Sequence, residues 1–306
     1  MRAVVCTAYG PPDVLRLEER ATPICGKHAV RIRVRATAVT SSDCYVRGLA
    51  LSPGYRILAR LVLGWSAPRQ PVLGMVLSGE VDAIGQEVRS LAVGDQVFGM
   101  DKDRFGTYAQ HVCWPEDGLL VRRPAGITDE EAAAIPYGGL LASHLLRKAG
   151  VRSGAAVLVY GASGAVGTSA VQLARHLGAE VTAVCSGANA DLVASLGASR
   201  VIDYTREEFT QQAGRYDAVL DAVGKRRSAA ALKGVRRVLA PGGSCVSIDD
   251  GAPSLRREDL VLLGTLAAEG GIRAVIDRTY TLDQIVEAHR YVDGGHKRGN
   301  VVIRVP

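Results

Sequence analysis

Seven residues constrain the fold of this chain more than any others: GASGAVG at 161–167, directly after the apolar run AVLVY and directly before an apolar-periodic segment that continues to about Leu177. A strand that breaks into three spaced glycines and resumes as a helix is a strand–turn–helix unit. Gly161 permits the tight turn, Gly164 lets main-chain amides approach an anionic ligand, and Gly167 lets the helix lie against the strand. An anion then sits at the helix amino terminus, where unpaired amides and the helix dipole favour negative charge. The spacing is GxxGxxG, one residue different from the commoner GxGxxG, and the glycines alone also describe a plain strand-to-helix turn. A second strand, EVTAVC at 180–185, follows the helix, and that context favours a unit that binds the pyrophosphate of a dinucleotide.

From about Pro124 strand and helix alternate. TDEE at 128–131 has the T-x-x-E spacing of a capping box, in which Thr128 and Glu131 satisfy free amides at a helix start. After the glycine unit come a short helix ending at Gly197, then RVID at 200–203, AVLDAVG at 218–224 and SCVSID at 244–249. These runs are almost continuously apolar, as strands are when helices cover both faces of a parallel sheet.

The first third reads differently. Residues 2–7, 29–36, 78–84, 96–100 and 107–114 are short, rich in Val and Thr, and bounded by Gly, Pro or Asp, which marks strands. VRIRVRA alternates apolar and charged residues, so one face meets a core and the other meets water. An antiparallel, barrel-like domain is predicted there. A last helix at 282–292 and a last strand, NVVIRV at 300–305, either extend the parallel sheet or return to the first domain; pattern alone leaves both open.

The 306 residues, 47% of them apolar, suffice for two domains. No positively charged start leads into an apolar run, and the greasiest stretch, 55–65, is broken by Arg56 and Arg60. A soluble cytoplasmic protein without a membrane partner is expected. The formal charge of +6 comes from arginines dispersed among acidic residues, without the basic run and interleaved aromatics of a nucleic-acid footprint. Six cysteines, Cys6, Cys25, Cys44, Cys113, Cys185 and Cys245, stand singly with no CxxC. They read as buried or idle thiols rather than a disulfide framework or a structural zinc site.

The end of the second strand selects the cofactor. NAD-selective sites place Asp or Glu there, about 20 residues past the glycines, to hold the ribose hydroxyls. Here the strand ends Cys185-Ser186-Gly187-Ala188-Asn189, with no acid. Ser186 can donate to a 2′-phosphate that a carboxylate would repel, so NADPH is favoured. No Arg or Lys stands among these residues, and Arg206 is a candidate cation from elsewhere. Alternatively Ser186 caps the next helix.

MRAVVCTAYGPPDVLRL at the start, VRIRVRATAVTSSDCYVRG, PVLGMVLSGEVDAIGQEVRSLAVGDQVFGM, AAAIPYGGLLASHLL, the glycine unit with its helix, LGASRVIDY, and AHRYVDGGHKRGNVVIRV at the end carry a resemblance over nearly the whole length. The chain resembles the medium-chain dehydrogenase/reductase superfamily, in its zinc-free quinone oxidoreductase and enoyl reductase branch. The resemblance implies an α/β protein: a GroES-like β-barrel domain over 1–123, completed by 275–306, plus a Rossmann doubly wound parallel sheet over 124–274. It implies that Ser163, Gly164, Ala165 and Val166 cradle the pyrophosphate and that Ser186 and Tyr204 lie near the 2′-phosphate. Thr40 stands where many relatives have an Asn on the nicotinamide ribose, and Leu141 where many have a Thr near the nicotinamide. Zinc-dependent members carry a Cys near position 40 and a His-Glu pair after a PxxxG motif. This chain has Thr40, Met75 and Val76 there, which cannot form that site. The four-cysteine structural lobe is absent, and His28, His111, His144, His176, His289 and His296 lack metal spacing.

Without a metal to polarise a carbonyl, the fitting reaction is hydride addition from NADPH to an activated alkene (an enone) or a quinone, with a proton supplied to the developing enolate. Tyr45 matches a position near the active site of quinone reductase relatives and is the candidate donor; a packing tyrosine is the competing reading. Segment 249–260, DDGAPSLRREDL, is too short for the helix and edge strand that relatives carry there, on which their dimer is commonly built. A homodimer is left open. Two other functions stay in play: a redox-inactive relative serving as a binding or regulatory module, and an enzyme using the same cleft for non-redox chemistry. The substrate is expected to be a small molecule selected by loops such as 47–68.

Overall fold

A computed structural model describes residues 1–49, 53–211 and 215–306. In chain order the elements are β1 (Arg2–Cys6), β2 (Leu15–Glu19), β3 (Ala29–Val39), α1 (Ser41–Gly48), α2 (Pro53–Leu63), β4 (Val76–Ile84), β5 (Gln96–Met100), β6 (His111–Pro115), β7 (Leu120–Arg122), α3 (Asp129–Lys148) and β8 (Ala156–Tyr160). They continue with α4 (Ala165–His176), β9 (Glu180–Cys185), α5 (Ala190–Ser195), β10 (Arg200–Asp203), β11 (Tyr216–Asp221), α6 (Lys225–Ser228), β12 (Leu239–Ser247), α7 (Arg257–Ala268), β13 (Ile276–Thr281), α8 (Ile285–Asp293) and β14 (Asn300–Arg304). Two compact units result: Met1–Pro136 with Ile276–Pro306, and Tyr137–Val275.

The division falls inside α3 rather than at residue 124. The first turn of α3 is tied to the first unit, where Ser78 donates to Asp129 at 2.6 Å and Arg304 to Glu130 at 2.6 Å. At Pro136 the helix also lacks an amide for the preceding turn. The capping box that starts this helix is formed: the Glu131 amide donates to the Thr128 hydroxyl at 3.2 Å, and the Thr128 amide to the Glu131 carboxylate at 2.8 Å.

In the first unit β3 is the spine. It pairs antiparallel with β4 along one edge, and along the other with β6 over Ala29–Arg33 and with β14 over Ala36–Val39. Val30, Ile32 and Val34 are fully buried while Arg33 is exposed, as the alternation predicts. They join Leu73, Leu77, Tyr108, Trp114, Val301 and Ile303 in one core. The final strand therefore returns to the first unit, where it also pairs parallel with β13. The strand expected at 107–114 begins only at His111; before it, Ala109 forms a single bridge to Ala3. Of the loop 47–68, residues 50–52 lie outside the described residues and α2 occupies much of the remainder.

In the second unit β8, β9, β10, β11 and β12 form a parallel sheet in the order β10-β9-β8-β11-β12. The strands are buried along most of their length, because helices flank the sheet. Among the described residues β12 is an edge, and the short segment after it leads directly to α7 without adding a strand. Pro241, with no amide to offer, and Gly242 are exposed on that edge and blunt it. Among the described residues, no helix is long and apolar enough to cross a membrane.

Candidate functional site

Each glycine of the 161–167 turn does a different job. Gly161 adopts φ +80, and a Cβ there would meet Val223 Cγ2 at 2.3 Å. At Gly167 a Cβ would meet the Gly161 carbonyl at 2.1 Å and Ala162 Cα at 2.6 Å, so α4 lies directly on the turn. At Gly164 a Cβ would meet nothing nearer than the Gly161 carbonyl at 3.6 Å. The side of the turn at Gly164 is open space. Amides of Gly161 and Ala162 both donate to the Val184 carbonyl at 3.0 Å, which pins the turn to β9.

Gly164 is the extended residue before α4, with no side-chain cap and no acid in the helix's first turn. The amides of Ala165, Val166 and Gly167 have no helical acceptor by virtue of their position. They and the helix dipole present positive potential beside an opening with no Cβ, which is the chemistry of an anion cradle. Ser163 and Gly164 are half-buried, and Ala165 and Val166 are buried. From behind, α3 supports the cradle at Gly138, where a Cβ would meet the Ala165 carbonyl at 2.2 Å.

The same end of the sheet carries Ser186 and Tyr204. Ser186 follows β9, and its hydroxyl accepts from Asn189 Nδ2 at 3.2 Å. It makes no side-chain cap to the turn that follows, so capping is not its role. Tyr204 is 54% exposed, and its amide donates to the Cys185 carbonyl at 3.1 Å. Between them stands a residue the sequence reading passed over, Asp203. Its carboxylate is so close to Gly187 that a Cβ there would lie 2.4 Å from Oδ2. Hydrogen bonds from the Thr205 hydroxyl and amide, then from the Gly187 amide, hold its carboxyl below the usual range. The signal for Asp203 is the parallel register that sets it opposite Cys185. Arg206, the candidate cation, extends into solvent with its Nε 3.9 Å from Asp203.

The first unit contains a separate buried polar cluster. Thr40 and Asp43 form a capping box at the start of α1: the Thr40 amide and hydroxyl donate to Asp43 Oδ2 at 2.8 and 2.6 Å, and the Asp43 amide donates back to Thr40 at 3.2 Å. The Gly74 amide donates to Asp43 Oδ1 at 3.1 Å. Burial pushes the Asp43 carboxyl up to about 6, against these bonds, which favour the charged form. The Tyr108 hydroxyl is buried beside it but outside hydrogen-bonding geometry.

One turn along α1, Arg47 is 3% exposed; it donates to Asp293 at 2.6 Å and to His289 Nδ1 at 3.1 Å. Nδ1 is therefore the acceptor, which assigns the ring proton to Nε2. Burial first, and then the Arg47 charge, push His289 down to about 3. Its ring meets Tyr108 edge-on at 5.6 Å. Tyr45 lies on α1 and is 39% exposed. The sequence reading missed Asp43, Arg47, Tyr108 and His289; only the T-x-x-D spacing at 40–43 offered a local signal.

A hollow of about 660 Å³ lined by Arg215, Val235, Arg236, Leu239 and Cys245 lies at the amino ends of β11 and β12, the end opposite the glycine turn. Among the described residues, no three His, Cys, Asp or Glu side chains are grouped to hold a metal ion.

Residues 26–125 match the alcohol dehydrogenase GroES-like domain family, and residues 165–263 and 250–303 match two families described as zinc-binding dehydrogenase. The 2-methylene-furan-3-one reductase of Solanum lycopersicum is 32% identical over 323 residues, spanning 99% of this chain and 79% of that protein. The chloroplastic NADPH-dependent alkenal/one oxidoreductase of Arabidopsis thaliana is 28% identical over the same shares. The structure of the quinone oxidoreductase from Coxiella burnetii matches with a TM-score of 0.85 at 27% identity, covering 100% of this chain and 99% of that one.

Proposed function

The chain belongs to the medium-chain dehydrogenase/reductase superfamily, in its quinone oxidoreductase and enoyl reductase branch, and on that premise we propose that it is a cytoplasmic, NADPH-dependent oxidoreductase that reduces an activated alkene (an enone) or a quinone without zinc. The observation that carries this reading is the open side of the turn at Gly164, where the first amides of α4 face a space that a side chain would fill. When bound, NADPH supplies the hydride.

The residues present fit that cofactor. The amides of Ala165 and Val166 receive the pyrophosphate at the helix start. Ser186, already accepting from Asn189, keeps its own proton to donate to a 2′-phosphate, and Tyr204 offers a second hydroxyl. Thr40 has its proton on Asp43 and accepts from the Asp43 amide, which leaves one lone pair for a ribose hydroxyl. Tyr45 donates the proton that the enolate requires. The metal-free reading is supported by Thr40, Met75 and Val76 at the positions where zinc-dependent members hold their ligands. The names of the tomato and Arabidopsis relatives favour enones as substrates.

A second cofactor reading rests on Asp203. Its negative charge beside Gly187 suits ribose hydroxyls better than a phosphate, which favours NADH. Titrating the protein with NADPH and with NADH, following cofactor fluorescence, separates the two; NADPH is expected to bind the more tightly. NADPH oxidation is then followed by absorbance across a panel of enones and quinones. Binding with no oxidation of either cofactor would support non-redox use of the site, and no binding of either would support a binding or regulatory module.

A further inference from the structure

Two cysteines that stand 88 positions apart in sequence meet in the first unit, with Cys25 Sγ and Cys113 Sγ 3.4 Å apart. Their environment is built by three strands. Cys113 is fixed in β6, opposite Arg31 of β3. Arg31 donates to Asp82 of β4 at 2.8 Å and reaches the Pro23 carbonyl at 3.4 Å, which holds the segment carrying Cys25 against the sheet. Cys25 Sγ lies 3.9 Å from the Ala83 carbonyl, also on β4. Both thiols are half-buried. No metal-ligand group forms around them among the described residues.

We propose that Cys25 and Cys113 are a reversible oxidation site, closing to an intramolecular disulfide in response to a hydroperoxide. The bonded distance of about 2.05 Å leaves roughly 1.4 Å to close. Cys25 is free to make that approach, because it sits in an irregular segment beside Ile24, which is 92% exposed, whereas Cys113 is held in a ladder.

The chemistry balances without another reagent. The Cys25 thiolate attacks the terminal peroxide oxygen, the O–O bond breaks, and sulfenic acid and alcohol (or water) result. Cys113 Sγ then attacks the Cys25 sulfur; the S–O bond breaks, hydroxide leaves and takes the Cys113 proton as water. Two thiols are oxidised by two electrons and one hydroperoxide is reduced. Burial and its neighbour Cys25 push the Cys113 thiol up to about 12, so Cys113 is the proton-bearing partner of the second step. Cys25, in the irregular segment beside the exposed Ile24, is the first to meet the hydroperoxide. A thiol or thioredoxin-type reductant reverses the link.

The test uses the full-length protein, reduced and then exposed to limiting hydrogen peroxide, alkylated under denaturing conditions and mapped by mass spectrometry. The expected product is a peptide pair joined through Cys25 and Cys113, lighter by two hydrogens, in a chain that remains monomeric on a non-reducing gel. Closing so long a loop is expected to raise the Tm by several degrees, reversibly with dithiothreitol. Cys25→Ser and Cys113→Ala are both expected to abolish the peptide pair and the Tm shift while leaving NADPH binding of the reduced protein unchanged. Oxidation that accumulates at the exposed Cys245, or at Cys44, while both Cys25 and Cys113 stay alkylatable would overturn the proposal. So would a link between two chains, or a Tm rise that survives in either variant.

Discussion

The two units solve the problem of buried polarity in opposite ways. In the second unit the groups proposed to hold a charged ligand are main-chain amides at a helix start, and the turn beside them carries glycines so that backbone can approach backbone. In the first unit the polar groups are side chains, Asp43, Arg47 and His289, and each is held by a hydrogen bond to a residue far away in sequence. A main-chain site needs only local sequence to specify it and has no titratable group to protect. A side-chain cluster needs the whole fold and pays in pH sensitivity.

The widest separation between the two designs is expected at Gly167. Gly167→Val drives a branched side chain into the Gly161 carbonyl and Ala162 Cα and should cost about 4 kcal/mol or more, seen as loss of cooperative unfolding of the second unit and of NADPH binding. Gly164→Val, three residues away, should fold with near-normal Tm and lose NADPH affinity by about tenfold or more. A Gly164 variant that binds normally would break the assignment of that space to a ligand.

Acid should discriminate the first unit. His289 titrates near 6.5 when unfolded and about 3 when folded, so its contribution is full above about pH 6.5 and is lost as pH falls toward 3, of the order of 4 kcal/mol. Asp43 shifts the other way, from 3.8 to about 6; its protonated form favours the fold, and roughly 3 kcal/mol is lost as pH rises through that window. Urea midpoints compared near neutrality and near about pH 4 should therefore show a flatter acid loss in His289→Asn and a steeper one in Asp43→Asn. Equal slopes in both variants would deny the cluster its titrating role.

Smaller effects test the proposed chemistry. Tyr45→Phe should lower kcat about 10–100-fold with NADPH affinity unchanged; unchanged turnover would make Tyr45 a packing residue. At the ribose end, Ser186→Ala should weaken NADPH a few-fold, about 1 kcal/mol, without affecting NADH. Asp203→Asn should shift the kcat/KM ratio toward NADPH by up to about tenfold; a shift toward NADH would overturn the reading of that carboxylate.

What sequence made legible was what is local. The strand alternation of 29–36, the capping box at Thr128, the tight turn at Gly161 and the close helix packing at Gly167 all depend on neighbours within a few residues, and each appears in the structure as read. The short segment 249–260 likewise leaves β12 at the sheet edge. Asp203 escaped because the rule for cofactor choice inspects the end of the second strand, whereas the acid arrives from the third through parallel register. The His289 cluster and the Cys25–Cys113 contact depend on pairings across 242 and 88 positions, which no spacing rule can see. Cysteines that stand alone in the sequence are not alone in the fold.

The return of β14 to β3 bears on how the protein is made. The half of β3 at Ala36–Val39 has no partner on that side until residues 301–304 emerge from the ribosome, and Val301, Ile303 and Val305 complete a core whose other walls were synthesised far earlier. Translation thus finishes an entire second unit while the first still exposes part of one strand edge and an open apolar wall, the circumstance in which nascent chains engage chaperones or associate wrongly.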